Sequence, residues 1–573
     1  MGYDVVFEAV ANLFKGHILD ENLLMSIAAT GAFFIKSYPE AAAVMLLYQI
    51  GEVFQSYAVG RSRRSISKLM DIRPDFAAVL REGSPKRVPP EQVECGEIIE
   101  VSPGERVPLD GIVTEGSSFL DTAALTGESV PRRADAGDEV LSGSVNLSGV
   151  IYIKVQKEYA ESTVARILEL VENAADKKSR SEKFITRFSA VYTPVVVGLA
   201  AALAVIPPLF IPGQVFSEWI YRALSFLVVS CPCALVISVP LSFFGGIGGA
   251  SRAGILIKGS GFLEALSKTD TVVFDKTGTL TKGVFEVQSV RVCGGMDRDE
   301  LLRLAAHAEC FSSHPIASSL KRAYGKEPDK SIVKDVQETA GKGIGARVDG
   351  KAVLAGNAKL MESMGIDYVK ENAAGTVIYV AADRVFSGSI VISDSVKEDA
   401  AEAVSQLRAE HVRKTVMLTG DSAGAAQAVC SELGIDEVHA ELLPGGKVDV
   451  LEKLMEQSRG TLAYAGDGIN DAPVLARADI GIAMGGMGSD AAIEAADVVI
   501  MTDEPSKIAQ AIRISRRTLM IVKQNIVFAL GVKAVVLIFS ALGASTMWEA
   551  IFADVGVSML AVLNALRALR VKK

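Results

Sequence analysis

The sequence predicts a multi-domain α/β membrane protein, in which a bundle of transmembrane helices carries a small β-rich domain and an open parallel-sheet α/β domain interrupted by an α+β insertion. Three observations lead to that expectation. Six apolar runs occur as three close pairs, the pattern of helical hairpins in a bilayer. Three further short apolar runs each end in a polar turn containing glycine, as the strands of a parallel sheet do. The composition is also divided: 49% hydrophobic residues and a mean hydropathy of +0.31 are high for a soluble chain, whereas 22% charged residues is too many for one wholly within lipid. A net charge of −9 argues against nucleic acid as a partner.

The elements follow in order. Asp4 to Lys15 places Val6, Phe7, Val10, Leu13 and Phe14 on one helical face, the pattern of a platform lying at a membrane surface. Leu23–Ile35 and Ala41–Val59 form the first apolar pair, Tyr192–Ile211 and Ala223–Ile247 the second, Ile521–Leu542 and Trp548–Leu566 the third. Each run is near the roughly 20 residues that span a bilayer, a buried core helix being the alternative for the shortest. Basic residues at Arg61, Arg63, Arg64, Lys177, Lys178, Arg570, Lys572 and Lys573 fall on one side of that topology, which the positive-inside rule makes the cytoplasm. Between the first two pairs lie short Val/Ile runs with Gly and Pro turns, read as β-rich. Six cysteines, at 95, 231, 233, 293, 310 and 430, form no disulfide framework and fit a reducing compartment.

The three strand-like runs bring carboxylates together. Thr271–Phe274 leads into Asp275-Lys276-Thr277-Gly278-Thr279-Leu280-Thr281, Lys414–Leu418 into Thr419-Gly420-Asp421, and Thr461–Ala465 into Gly466-Asp467-Gly468-Ile469-Asn470-Asp471. A carboxylate at a strand's carboxyl end is placed to attack a phosphoryl group and carry it covalently, so Asp275 reads as a nucleophile. Asp467 would share Mg²⁺ with it, because that ion prefers carboxylates and phosphate oxygens. Thr419 would hydrogen-bond the transferred group and Lys447 would offset its charge. Taken singly, each of these is a turn or surface residue.

Asp275–Thr281 carries the DKTGT phosphorylation signature, and the chain resembles the P-type ATPases. The resemblance gives Asp275, Lys276, Thr277, Thr419, Lys447 and Asp467 catalytic roles, with Asn470 and Asp471 supporting them. It makes the parallel-sheet domain a Rossmann-like, haloacid-dehalogenase-like phosphorylation domain. Leu125-Thr126-Gly127-Glu128-Ser129 sits in the β-rich region. It is either a plain loop or, by resemblance, the actuator loop whose Glu128 directs water onto the aspartyl phosphate. No GxxxxGK[ST] loop exists. Glu309, Ser312-Ser313-His314-Pro315, Gly341, Gly343, Gly345 and Asn357 instead resemble the ATP-binding insertion of the heavy-metal branch, where the His-Pro histidine contacts adenine. Ser313 stands where that branch usually has Glu. The expected division is 1–64 platform and first hairpin, 65–180 actuator, 181–258 second hairpin, 259–283 with 389–518 phosphorylation domain, 284–388 nucleotide-binding domain and 519–573 third hairpin.

The cargo is read from the spans. Cys231-Pro232-Cys233 interrupts the fourth, where proline frees carbonyls in a region without water. Thiolates favour Zn²⁺, Cd²⁺, Pb²⁺ or Cu⁺, although cysteine is also a common small filler of helices. Lys533 in the fifth span and Asp554 in the sixth are ionisable groups at membrane depth, where such groups are paired or functional unless they reach an interface. Together with the cysteines they resemble the zinc/cadmium/lead subclass of the P1B heavy-metal ATPases. That resemblance makes Cys231, Cys233 and Asp554 ligands, Lys533 a counter-ion and Glu52 part of a release route. It implies ATP-driven export of soft divalent ions from the cytoplasm across a plasma (inner) membrane by a monomer, with a metal donor or chelator as possible partner. Cu⁺ export and a membrane-anchored phosphatase of the same aspartate-nucleophile fold are the alternatives. Relative to the family, the amino terminus reads as shortened by a metal-binding domain and about one and a half helices.

Overall fold

The computed structural model describes residues 5, 7, 21–70, 74, 76–81, 84–122, 131–165, 180–230, 233–312, 315–339, 342–371, 375–421, 423–467, 471–485 and 490–570. The chain divides into two compact units, Met1–Lys268 with Gln510–Lys573, and Thr269–Ala509.

The first unit opens with helices α1 (Glu21–Phe34) and α2 (Tyr38–Met70). A β-rich region follows, with strands β1 (Ala77–Arg81), β2 (Ser84–Val88), β3 (Ile98–Val101), β4 (Gly111–Glu115), β5 (Ser118–Asp121), β6 (Arg132–Ala134), β7 (Glu139–Val140), β8 (Val145–Asn146) and β9 (Ile151–Val155). They form one sheet ordered β2-β1-β3-β9-β4-β7 and a second ordered β6-β5-β8. Alternation builds the core: Ile151, Ile153 and Val155 point inward from β9 against Val79, Ile99 and Leu109. Asp110 is buried there with its carboxylate satisfied. It accepts from the backbone N–H of Ser142 at 2.8 Å, from that of Thr163 at 2.9 Å, and from the Thr163 hydroxyl at 2.8 Å.

Helices α3 (Arg180–Phe210), α4 (Phe216–Val229) and α5 (Cys233–Ser251) come next, then a short strand β10 (Ile255–Ile257). Among the described residues four stretches are helices long and apolar enough to cross a membrane: Val191–Phe210, Phe216–Ser251, Ser506–Leu542 and Met547–Leu569. These correspond to the second and third apolar pairs of the sequence. For the first pair, the described residues hold the shorter apolar helix Leu24–Phe34. The run Ala41–Val59 lies inside α2, a 33-residue helix that continues through Arg61, Arg63 and Arg64. Outward-facing Val195, Leu199, Ile206 and Leu209 on α3 are what lipid contact demands.

The second unit is built on the parallel strands β11 (Thr269–Asp275), β18 (Lys414–Leu418), β19 (Glu437–His439), β20 (Thr461–Gly466), β21 (Ile480–Met484) and β22 (Val498–Ile500). Within the unit they run β22-β21-β20-β11-β18-β19, every neighbouring pair parallel. Both faces of this sheet are covered, which explains why β20 and β21 read as continuous apolar runs rather than alternating ones. Between β11 and β18 the chain leaves through β12 (Thr281–Val292) and returns through β17 (Val385–Val396). These border an antiparallel sheet ordered β12-β17-β16-β15-β14-β13, with β13 (Val333–Thr339), β14 (Gly343–Val348), β15 (Lys351–Gly356) and β16 (Thr376–Ala382). Leu301, Leu304 and Leu320 from the helices Arg298–Ala308 and Pro315–Tyr324 pack onto it.

Candidate functional site

Parallel register delivers three strand ends to one edge. Asp275 closes β11 opposite Leu418, so Thr419 follows directly on the adjoining strand. Phe274 pairs with Ala465 on the other side, which puts Asp467 two residues further along. Carboxylate oxygens of Asp275, Asp467 and Asp471 all lie within 4.8 Å of one another. Lys447, on the helix Pro444–Gln457, donates to Asp275 Oδ1 at 2.5 Å and to Asp471 Oδ1 at 2.9 Å. The Tyr464 hydroxyl donates to Asp471 at 3.0 Å from beneath.

One ammonium among three carboxylates leaves an excess of negative charge. Burial pushes the Asp275 carboxyl up to about 7, and the Asp471 and Asp467 carboxylates add to this while Lys447 pulls the other way. Burial disfavours the Lys447 charge, but Asp275 and Asp471 outweigh it and hold the ammonium above its ordinary value. Burial and Asp471 likewise raise Asp467. Hard oxygen donors this close, carrying uncompensated charge, fit a Mg²⁺ ion.

The turn after Asp275 has a fixed shape. Gly278 sits at φ 75° in contact with Asp467, and a Cβ there would fall 1.6 Å from Asp467 Oδ2. Lys276 is buried and ion-paired with Asp421. Thr277 is extended, at φ −75° and ψ 128°. Thr419 is buried, and its hydroxyl accepts the N–H of Asp421 at 3.1 Å. Asn470 lies outside the described residues, as does Glu128.

A second constellation occupies the helices of the first unit. Lys533 and Asp554 are both buried and form an ion pair. Lys533 Nζ also donates to the carbonyl of Val229 at 3.0 Å, where α4 ends. The pair is internal to the helices, and neither side chain is exposed. Cys231 lies outside the described residues, and α5 begins at Cys233. Glu52 is exposed on α2; its neighbour Gly51 faces Val555, next to Asp554, with 3.6 Å from a Cβ position to the valine methyl.

Comparison with known proteins gives the same picture. Residues 71–172 match the P-type ATPase actuator domain family, and residues 269–479 match the haloacid dehalogenase-like hydrolases. A cadmium, zinc and cobalt-transporting ATPase of Bacillus subtilis is 55% identical over 576 residues, spanning 100% of this chain and 82% of that protein. A zinc-transporting ATPase of Synechocystis is 54% identical, spanning 99% of this chain and 79% of the relative. The crystal structure of a zinc-transporting PIB-type ATPase in the E2·Pi state superposes with a TM-score of 0.65, at 38% identity, over 99% of this chain and 93% of that one. The chain belongs to the heavy-metal (PIB) branch of the P-type ATPases.

This P-type ATPase is an integral membrane protein with cytoplasmic soluble domains. In its inserted domain His314 and Gly341 lie outside the described residues. Gly343 pairs with Gly356 across β14 and β15, and a Cβ at Gly343 would lie 2.4 Å from the Ala355 carbonyl. Close strand contact alone therefore requires glycine there. Gly345 faces Leu354 in the same ladder. Asn357 is the N-cap of the helix Ala358–Ser363, its side chain accepting the Leu360 N–H at 3.2 Å. Glu309 ends the helix Arg298–Ala308. Sequence reasoning missed Tyr464, which bonds Asp471, and Asp394 and Lys397, which bond the turn after Asp275. The one available signal was a lysine three residues after an aspartate at the end of a strand, Asp394-Ser395-Val396-Lys397.

Proposed function

We propose that this P-type ATPase uses ATP to export soft divalent metal ions, Zn²⁺ and Cd²⁺ foremost and Pb²⁺ with them, from the cytoplasm across the plasma membrane. The observation that carries the reading is the buried Lys533–Asp554 pair bonded to the Val229 carbonyl, two residues before Cys231. A carboxylate with thiolates suits a borderline divalent ion better than Cu⁺. Cys231, Cys233 and Asp554 would bind the cargo. Lys533 takes the Asp554 charge when the cargo has left, so the buried carboxylate is never without a partner. Glu52 would lie on the exit route.

In the soluble unit the Asp275 carboxylate attacks the γ-phosphorus of ATP; the new O–P bond forms as the bond to the bridging oxygen breaks, and ADP departs. Lys447 offsets the charge of the transferred group, Thr419 hydrogen-bonds it, and Lys276 and Thr277 shape the loop. Asp471 and Asn470 hold the surrounding network. Asp275 and Asp467 would hold Mg²⁺, which would supply positive charge to the phosphoryl oxygens. Glu128 then takes a proton from the water that hydrolyses the aspartyl phosphate and regenerates Asp275. ATP would be received by the insertion, with His314, Glu309, Gly341, Gly343, Gly345 and Asn357 around it. The division of labour is actuator 65–180, phosphorylation domain 259–283 with 389–518, and nucleotide-binding domain 284–388. The working unit is a monomer, supplied with metal by a donor or chelator.

The test is ATPase activity and metal uptake by the protein in vesicles, measured with Zn²⁺, Cd²⁺, Pb²⁺, Co²⁺ and Cu⁺. Stimulation by Zn²⁺, Cd²⁺ and Pb²⁺ that is lost in Asp275→Asn and Cys231→Ala is expected. Stimulation by Cu⁺ alone would overturn the cargo.

A further inference from the structure

Lys397 is 6% exposed, a rare position for a lysine, and none of the roles above uses it. Its ammonium donates to the Gly278 carbonyl at 2.6 Å and to Asp503 Oδ1 at 2.6 Å. Its backbone N–H donates to the Leu280 carbonyl at 3.0 Å. Three residues earlier, Asp394 accepts from the Thr281 hydroxyl. The segment that brings the chain back from the insertion thus grips the phosphorylation loop at Gly278, Leu280 and Thr281. Asp399 continues the same segment and accepts the Ser506 N–H at 2.9 Å, where a 37-residue helix begins.

Gly278 is the sensitive point of that loop, because it lies against Asp467 with no room for even one added carbon. Whatever fixes the Gly278 carbonyl fixes that contact and the turn leading away from Asp275. A buried ammonium with two short charge-assisted bonds is strong enough to do so.

From this geometry we infer that Lys397 is a positioning residue for phosphoryl transfer: tethered by Asp503, it holds the Gly278 turn so that Asp275 and Asp467 face the incoming phosphate together. The inference rests on the reading of Asp275 as the phosphorylated residue.

The experiment measures single-turnover phosphorylation of the full-length protein by radiolabelled ATP, with melting curves for every variant. Wild type is first checked for an acid-stable, hydroxylamine-sensitive phosphate that Asp275→Asn abolishes; its absence overturns the underlying reading. Lys397→Met is expected to slow phosphoenzyme formation about tenfold or more while leaving KM for ATP within about twofold, as displaced reacting groups do. Lys397→Arg, which keeps charge and donors, is expected to return the rate to within about threefold of wild type. Asp503→Ala removes the acceptor and so releases the tether at an exposed position, and is expected to slow the step by a smaller factor without changing the melting curve. Should Lys397→Met fail to fold, Asp503→Ala decides. A wild-type rate in either variant, or a raised KM at unchanged kcat, would overturn the inference while leaving the reading of Asp275 intact.

Discussion

Lys447 Nζ lies 2.5 Å from Asp275 Oδ1, and the same ammonium reaches Asp471 at 2.9 Å. Burial, and then the charge of Asp471 and Asp467, push Asp275 up to about 7 although Lys447 pulls the other way. Asp275→Asn therefore removes the nucleophile and part of the repulsion. We expect no phosphoenzyme and a melting temperature at or above wild type without Mg²⁺, a gain of up to about 1 kcal/mol. Lys447→Met should do the opposite to stability and slow phosphorylation by roughly a hundredfold. Calorimetry alongside acid-quenched labelling checks both.

Gly278→Ala tests the turn itself. The added methyl carbon would sit 1.6 Å from Asp467 Oδ2 on a backbone at φ 75°, so both sterics and conformation oppose it. Phosphorylation should fall at least about a hundredfold, because a shift of about 1 Å at a reacting centre costs that much. Gly213, also at positive φ but with nothing near its Cβ position, is the control: Gly213→Ala should leave phosphorylation unchanged.

The difference between those two glycines marks what the sequence could and could not convey. Asp275, Thr419 and Asp467 were legible because parallel strands bring their carboxyl ends together whatever the loops between them do. Lys397 was not, since its value depends on a return strand arriving beside Gly278 across more than a hundred residues. Asn357 caps a helix with its side chain, a role that its local pattern also allows. Lys533 and Asp554 are legible as a pair at depth in the fifth and sixth spans, whereas the bond to the Val229 carbonyl is not, because hydropathy gives depth along a helix and not the direction in which a side chain points.

Asp270, at the opposite end of β11 from Asp275, governs stability rather than chemistry. Burial alone would raise its carboxyl, but the Ser458 and Thr271 hydroxyls and the Gly460 and Arg459 N–H groups outweigh that and hold it below the ordinary range. The Ser458 bond is 2.5 Å and the two N–H bonds are 3.1 and 3.2 Å. A lowered pKa means that the stabilisation is present above the unfolded value, near 4, and disappears as pH falls through the lower folded value. Asp270→Asn should cost about 1 kcal/mol at neutral pH. The gap to wild type should stay constant from pH 7 to about 5 and narrow only below about 4. Melting temperatures of both proteins across that range check the sign; a gap that widened on acidification would contradict it.

Lys533 and Asp554 make a prediction that separates pairing from packing. Removing one member of a buried ion pair strands the other, and costs about 3 kcal/mol or more, whereas removing both costs less. Lys533→Met should therefore destabilise the detergent-solubilised protein strongly, with the Val229 carbonyl losing its donor as well. Asp554→Asn should be milder, since a neutral amide still accepts from the ammonium. The double variant Lys533→Met/Asp554→Leu should melt closer to wild type than Lys533→Met alone. If the pair serves transport, none of the three should show metal-stimulated hydrolysis, and only the double variant should combine near-native melting with that loss. Thermal inactivation curves and Zn²⁺-stimulated ATPase on the same preparations supply both readouts. A Lys533→Met variant that melts like wild type would mean that Asp554 is satisfied by some other donor and that the pair is not what keeps the carboxylate inside the helices.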